Sequence, residues 1–159
     1  DKLGGGVVFW VDAAKAHGYI VNMSNVGTNT EQFGPEREAS DAAGTSQSMG
    51  SGYTNTQNIV KKFNALQSAN NSVTVGQITY TDWFLPSREE LIEIFKVKNL
   101  LAEKGVNIPA NNYWSSSEGD GNDPGWSAFY VNFYEESKLI SEKCSKSGWK
   151  IGVLPIRAL

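Results

Sequence analysis

The chain has 159 residues, 40% of them hydrophobic and 19% charged, with 14 basic and 17 acidic side chains giving a formal charge of −3. That balance suits one folded domain that buries roughly two thirds of its unfolded surface, and it excludes a disordered chain. No basic run exceeds the Lys61-Lys62 pair, so the clustered cations that displace counterions from phosphate backbones are missing and nucleic acid is excluded as a partner.

No apolar stretch reaches the roughly 20 residues needed to cross a bilayer, so no transmembrane segment is expected. A single cysteine, Cys144, rules out an intrachain disulfide and leaves the fold to burial and hydrogen bonding. Cysteine scarcity fits a cytoplasmic protein and an exported bacterial one equally. The chain opens at Asp1 without a Met or a signal-like apolar run, which reads as a mature fragment of a larger protein.

In chain order, the apolar run 7–11 follows three glycines and reads as a strand buried on both faces. A turn over 13–18 leads to a second strand over 19–23, making an N-terminal hairpin. Residues 24–54 show little periodicity, with Val26, Phe33, Met49 and Tyr53 as the large apolar anchors. An irregular stretch of that length either carries function or wraps the core.

Helical spacing returns over 55–66, where Ile59, Phe63 and Leu66 share a face and Thr54 or Asn55 can cap. A short β-branched segment, 72–81, delivers the chain to Asp82-Trp83-Phe84-Leu85-Pro86. Ser87 with Glu90 three residues on forms a capping box, and Pro86 fits just outside the helix it starts. Leu91, Ile94 and Phe95 give the second helix, over 87–98, its buried stripe, and Leu101 extends it if the helix runs on.

Strands then follow over 113–117 and 126–134, around the acidic loop 118–125. In the second of them Phe129, Val131 and Phe133 alternate with Ala128, Tyr130, Asn132 and Tyr134, so one face is core and the other a mixed surface. Segments 138–143 and 149–157 complete the sheet. The order implies a single α+β domain over 1–159, in which two helices pack on a mixed, mainly antiparallel sheet with adjacent N- and C-terminal strands and long irregular loops.

Four segments together carry a family resemblance: Gly5-Gly6-Val7-Val8-Phe9-Trp10-Val11-Asp12 with His17-Gly18-Tyr19-Ile20-Val21; the Leu-Pro-helix element; Asn112-Tyr113-Trp114-Ser115-Ser116-Ser117-Glu118; and Val153-Leu154-Pro155-Ile156-Arg157-Ala158-Leu159. Their order resembles the domain of unknown function 1566 family, which includes the C-terminal domain of the Legionella collagen-like adhesin. The resemblance implies a C-type-lectin-like fold, related to that of the formylglycine-generating enzymes, forming the C-terminal part of a larger exported, cell-surface bacterial protein. It also implies a noncatalytic, adhesin-like module whose partner is a glycan or a protein on a host or cell surface. The resembling adhesin domain is associated with sulfated polysaccharides, to which this acidic chain offers little electrostatic help.

Candidate chemistry is sparse. His17 is the one histidine and sits in a hairpin turn, where an exposed His is ordinary. Cys144 has polar flanks that could lower its pKa, but the formylglycine-generating enzymes use two cysteines and this chain has one. No assembled nucleophile, base and oxyanion site is recognisable, so an enzyme is not expected. Glu118, Asp120, Asn122 and Asp123 gather oxygen ligands of the kind calcium takes, without the EF-hand spacing. The competing reading is a solvated acidic turn, and no cofactor other than calcium is suggested.

For a ligand, Trp126, Tyr130 and Tyr134 offer aromatic planes, and Asn112, Ser116, Glu118 and Asn132 offer hydrogen bonds. Trp114 reads as core. An outer face built on Tyr130, Asn132 and Tyr134 serves equally to pair with a neighbouring domain, which makes a structural or assembly role in a surface fibre the alternative. Arg157 is expected to pin the last strand through Asp82 or Glu118.

Overall fold

The structure is a computed structural model that describes residues 2–22, 30–63, 73–75, 77–134 and 138–159. Among these residues, eleven strands, two α-helices and one 3-10 turn follow in the order β1 (Lys2–Leu3), β2 (Gly6–Val11), β3 (Gly18–Asn22), β4 (Thr30–Glu31), the 3-10 turn Ala39–Asp41, α1 (Gly52–Phe63), β5 (Val73–Val75) and β6 (Ile78–Tyr80). Then come α2 (Arg88–Glu103), β7 (Asn112–Glu118), β8 (Ser127–Asn132), β9 (Ile140–Ser145), β10 (Ile151–Gly152) and β11 (Ile156–Ala158). Met23, Val26 and the expected end of the first helix over 64–66 lie outside the described residues.

The α+β class and the two helices agree with the sequence. The strands, however, form two sheets and a separate β5–β6 hairpin in place of one sheet: β1-β2-β3-β11, and β4-β10-β7-β8-β9. The first is antiparallel throughout, and the second is antiparallel apart from the parallel β10–β7 pair. Both chain ends meet in the first sheet, with β3 between β2 and β11.

The closing segment expected as one strand over 149–157 is therefore two. Ile151 and Gly152 belong to the second sheet, Ile156 to Ala158 to the first, and Val153, Leu154 and Pro155 cross between them, all buried. Pro155 has no N–H for a ladder, so a crossover is where it fits. Gly152 lies against Tyr113, whose ring would stand 2.6 Å from any Cβ added there.

The first strand also differs from expectation. Val7 is buried, but Val11 is 49% exposed, because the hairpin end around residues 12–17 projects past the core. The Trp83-Phe84-Leu85-Pro86 segment ties the two sheets together. Phe84 exchanges 2.8 Å backbone hydrogen bonds with Ile156, and Pro86 O accepts from Ser116 N at 2.7 Å. Leu85 N donates to Thr56 Oγ1 on α1 at 2.9 Å, so this short stretch fixes both sheets and a helix at once.

α2 starts as expected. Ser87 Oγ accepts from Glu90 N, and the Glu90 carboxylate accepts from Ser87 N at 2.7 Å. Leu91, Ile94, Phe95 and Leu101 lie in a core with Val7, Val21, Phe84, Tyr113, Val131, Phe133, Leu154 and Ile156, and the helix ends before Gly105, which takes φ 89°. A second core holds Phe33, Ile59, Leu85, Trp114, Ala128, Ile151 and Val153 on the opposite face of the second sheet. That sheet is thus covered on both sides over part of its area, and the even-numbered face of β8 is open only beyond Ala128.

Candidate functional site

The triple serine of β7 decides where the expected site residues go. Trp114 pairs with Tyr130 and Glu118 with Ala128, so Ser115, Ser116 and Ser117 face Phe129 alone in a wide bulge. All three serines are buried, and their hydroxyls are engaged. Ser115 Oγ donates to Phe129 O at 2.9 Å, Ser117 Oγ to Ser46 O at 2.8 Å, and Ser116 Oγ accepts from Asn55 Nδ2 at 3.2 Å. Ser116 is held inside the structure and faces no ligand surface.

The bulge turns Glu118 inward as well. Its carboxylate accepts from Ala43 N at 2.8 Å and Gly44 N at 3.0 Å, and Oε1 lies 2.7 Å from Lys146 Nζ. The ion pair is closed to solvent, with side-chain exposures of 0% for Lys146 and 2% for Glu118. Lys146 Nζ also donates to Pro124 O and stands 5.5 Å and 5.2 Å from the Phe33 and Phe63 ring centroids. Desolvation holds the Lys146 ammonium below the usual 10.5, against the pull of Glu118. The pair fastens residues 43–44 and the 118–125 loop to the end of β9.

The other acidic residues of that loop are engaged elsewhere. Lys143 Nζ lies 3.0 Å from Asp120 Oδ1 and 3.1 Å from Asp123 Oδ1, which keeps the Asp120 carboxyl below its usual value. Asp123 Oδ2 accepts from Ser127 Oγ at 2.9 Å, and Asn122 is exposed. Among the described residues no group of three or more His, Cys, Asp or Glu side chains is arranged to hold a metal ion. Glu118 is thus paired with Lys146, while Asp120 and Asp123 meet at Lys143, so a lysine ammonium stands where the loop's carboxylates come together.

The remaining candidates separate into three places. Trp126, 50% exposed, stands at the turn before β8, and Tyr134, 58% exposed, lies past the strand's other end. Tyr134 lines a cavity of about 190 Å³ with Phe133 and Ile108 near the C-terminal half of α2. Asn112, Tyr130 and Asn132 share one face, since Asn112 pairs with Asn132 across the β7–β8 ladder. Asn132 Oδ1 is taken up by Tyr134 N at 2.8 Å.

Asn112 and Tyr130 together line a cavity of about 120 Å³ with Cys144, Trp149 and Ile151. Trp149 is 60% exposed and forms its outer wall. Tyr130 Oη donates to Glu142 Oε2 at 3.2 Å. Asn112 Oδ1 is buried with no hydrogen-bond partner, an arrangement that ordinarily costs about 1–3 kcal/mol. Cys144 lies on the same face, because Ala128 and Tyr130 pair with Cys144 and Glu142. Its polar sequence flanks suggest a lowered thiol pKa, but the side chain turns onto the second core and burial pushes it up to about 11.

Trp149 is the residue the sequence reading missed. The available signal is a tryptophan between Gly148 and Lys150 in a polar turn, where an aromatic side chain has no core to enter. His17 and Arg157 stand apart from this cavity. His17 Nδ1 lies 2.9 Å from Asp12 Oδ2 on the hairpin turn, exposed, and Arg157 pairs with Asp82, as one of its two expected partners, while stacking 4.4 Å over Tyr80.

No model of a known protein family matches the chain, and no curated protein matches it either.

Proposed function

We propose that the chain is a noncatalytic binding module that recognises a glycan or a host surface ligand, as part of an exported bacterial surface protein of adhesin type. On this reading its α+β architecture is of the C-type-lectin-like kind, and the resemblance to the domain of unknown function 1566 family reflects relationship. The observation that carries the reading is the cavity formed by Asn112, Tyr130, Cys144, Trp149 and Ile151. It combines the exposed aromatic wall of Trp149 with the polar residues Asn112 and Tyr130, the pairing of apolar surface and few polar groups expected of a small-ligand site. A sugar ring lays its C–H face on an aromatic plane and its hydroxyls hydrogen-bond to polar neighbours, so a neutral glycan matches this lining.

The test is a glycan array probed with the native chain and with Tyr130→Ala and Trp149→Ala. Loss of signal in both variants, with melting unchanged for Trp149→Ala, supports recognition at this cavity. Binding that survives both variants contradicts it.

A second reading is an assembly domain that buries an apolar face against a partner chain. It draws on the groove of about 210 Å³ between β2 and α2, where Val8, Phe9, Val97 and Leu100 come together and Leu100 is 59% exposed. Light scattering after size exclusion separates the two readings. A stable oligomer that dissociates on Leu100→Glu favours assembly, whereas a monomer favours recognition.

A further inference from the structure

β2 is open on its outer side beyond Val7. Among the described residues β1 pairs with that edge only at Gly6 and Val7, while β3 follows the other edge as far as Val11. The backbone groups that the outer edge presents over 8–11 therefore have no strand beside them. Val8-Phe9-Trp10-Val11 also lacks the charges and prolines that ordinarily keep an edge from pairing. β9, the edge strand of the second sheet, carries such charges in Glu142 and Lys143.

The groove of about 210 Å³ between β2 and α2 runs along this open edge. Val7 and Phe9 pack into the core that holds Leu91, Ile94 and Phe95, whereas Val8 packs on the other face with Ile20 and Trp83. All three line the groove, and consecutive residues of a strand share one cavity only where it meets the strand's side. α2 supplies the facing wall with Val97, Leu100 and Leu101, and Lys104 is the lining cation. An extended segment finds backbone pairing on one side of such a slot and a seat for alternate apolar side chains on the other. An acyl chain would fill the apolar wall but strip water from the edge N–H and C=O groups without replacing its hydrogen bonds, so a polypeptide suits the slot better. The register to β3 shifts between Val8 and Trp10, and the added twist of that bulge limits the segment to a short one.

We propose that the β2–α2 groove is a strand-addition site for an extended peptide segment of a partner chain, one with apolar side chains at alternate positions and an acidic residue for Lys104. β1 shows that this same edge accepts a strand, in antiparallel sense, immediately before the open stretch. The inference rests on the assembly reading and names the kind of contact the partner makes.

A randomised heptapeptide display library, selected on the native chain and counter-selected on Leu100→Glu, tests it. Leu100 is 59% exposed, so the variant keeps its core. Enriched peptides should alternate apolar with polar residues and include an acidic one. At saturation a synthetic copy should slow hydrogen exchange of backbone amides within 8–11 by roughly tenfold or more, and N-methylation of its alternate amides should weaken binding by roughly tenfold. No enrichment, enrichment without alternation, or binding that leaves those amides unprotected overturns the proposal. If a peptide or a second copy docks through Leu100 while the amides of 8–11 stay unprotected, strand addition fails and the assembly reading stands; if neither docks there, both fail.

Discussion

Lys146 Nζ and Glu118 Oε1 meet at 2.7 Å with both side chains closed to water, although 28 residues separate them in the chain. The carboxylate also receives Ala43 N and Gly44 N, so the pair joins the end of β9, the end of β7 and the irregular segment before α1. Gly125 completes the joint, since a Cβ there would meet Arg37 O at 2.0 Å. The acidic loop is thus a fastening whose carboxylates have assigned partners.

Lys146→Met should destabilise the chain by about 3–5 kcal/mol, because it strands a buried carboxylate, and Glu118→Ala should cost a similar amount. Glu118→Gln combined with Lys146→Met should recover much of that loss, since a neutral pair leaves no uncompensated charge. Urea denaturation at neutral pH measures all three. Additive losses would show that the two residues do not act as a pair.

Ser87→Ala should cost about 1–2 kcal/mol in the same measurement, at the upper end for a cap because Ser87 is fully buried and its hydroxyl holds Glu90 N. A loss within about 0.3 kcal/mol would mean that α2 is set by its apolar stripe and not by its cap.

Glu90 gives a pH dependence with a definite sign. Burial raises its pKa above the ordinary 4.5, in opposition to the Ser87, Gly50 and Gly52 backbone donors. A raised native value means the folded state binds the proton more tightly than the unfolded one. The contribution is therefore fully present below 4.5 and is lost as pH rises through the native pKa. The stability of the native chain minus that of Glu90→Gln should fall as pH rises above 4.5. A difference that is flat or rises over that range contradicts the assignment.

Calcium at about 1 mM, a concentration that fills extracellular calcium modules, should leave the melting temperature unchanged, because Lys143 and Lys146 already neutralise the carboxylates around 118–123. A rise that grows with calcium concentration would restore the metal reading of Glu118, Asp120, Asn122 and Asp123.

What could be read from the sequence was local. The Ser87–Glu90 box, the Leu91, Ile94, Phe95 and Leu101 stripe and the core position of Trp114 depend on neighbours within a few turns, and the structure has them all. The second sheet was harder. Thr30–Glu31 and Ile151–Gly152 are two-residue strands that exist through pairing across the chain, and no periodicity can announce them. Alternation along β8 correctly separates Phe129, Val131 and Phe133 from Tyr130 and Asn132, but it cannot report that Phe33 and Trp114 cover Ala128 on the other face. Ser116 and Glu118 read as surface groups because the bulge that turns them inward is visible only in the β7–β8 register.

The most direct test of the central claim is to map amide chemical shifts of the native chain titrated with the neutral glycan that binds it most strongly on the array. The account predicts perturbations clustered at residues 112, 130, 144, 149 and 151 on the outer face of the second sheet, and their disappearance in Trp149→Ala. Perturbations centred on residues 118–123, or on Val8 and Leu100 across the molecule, would contradict it.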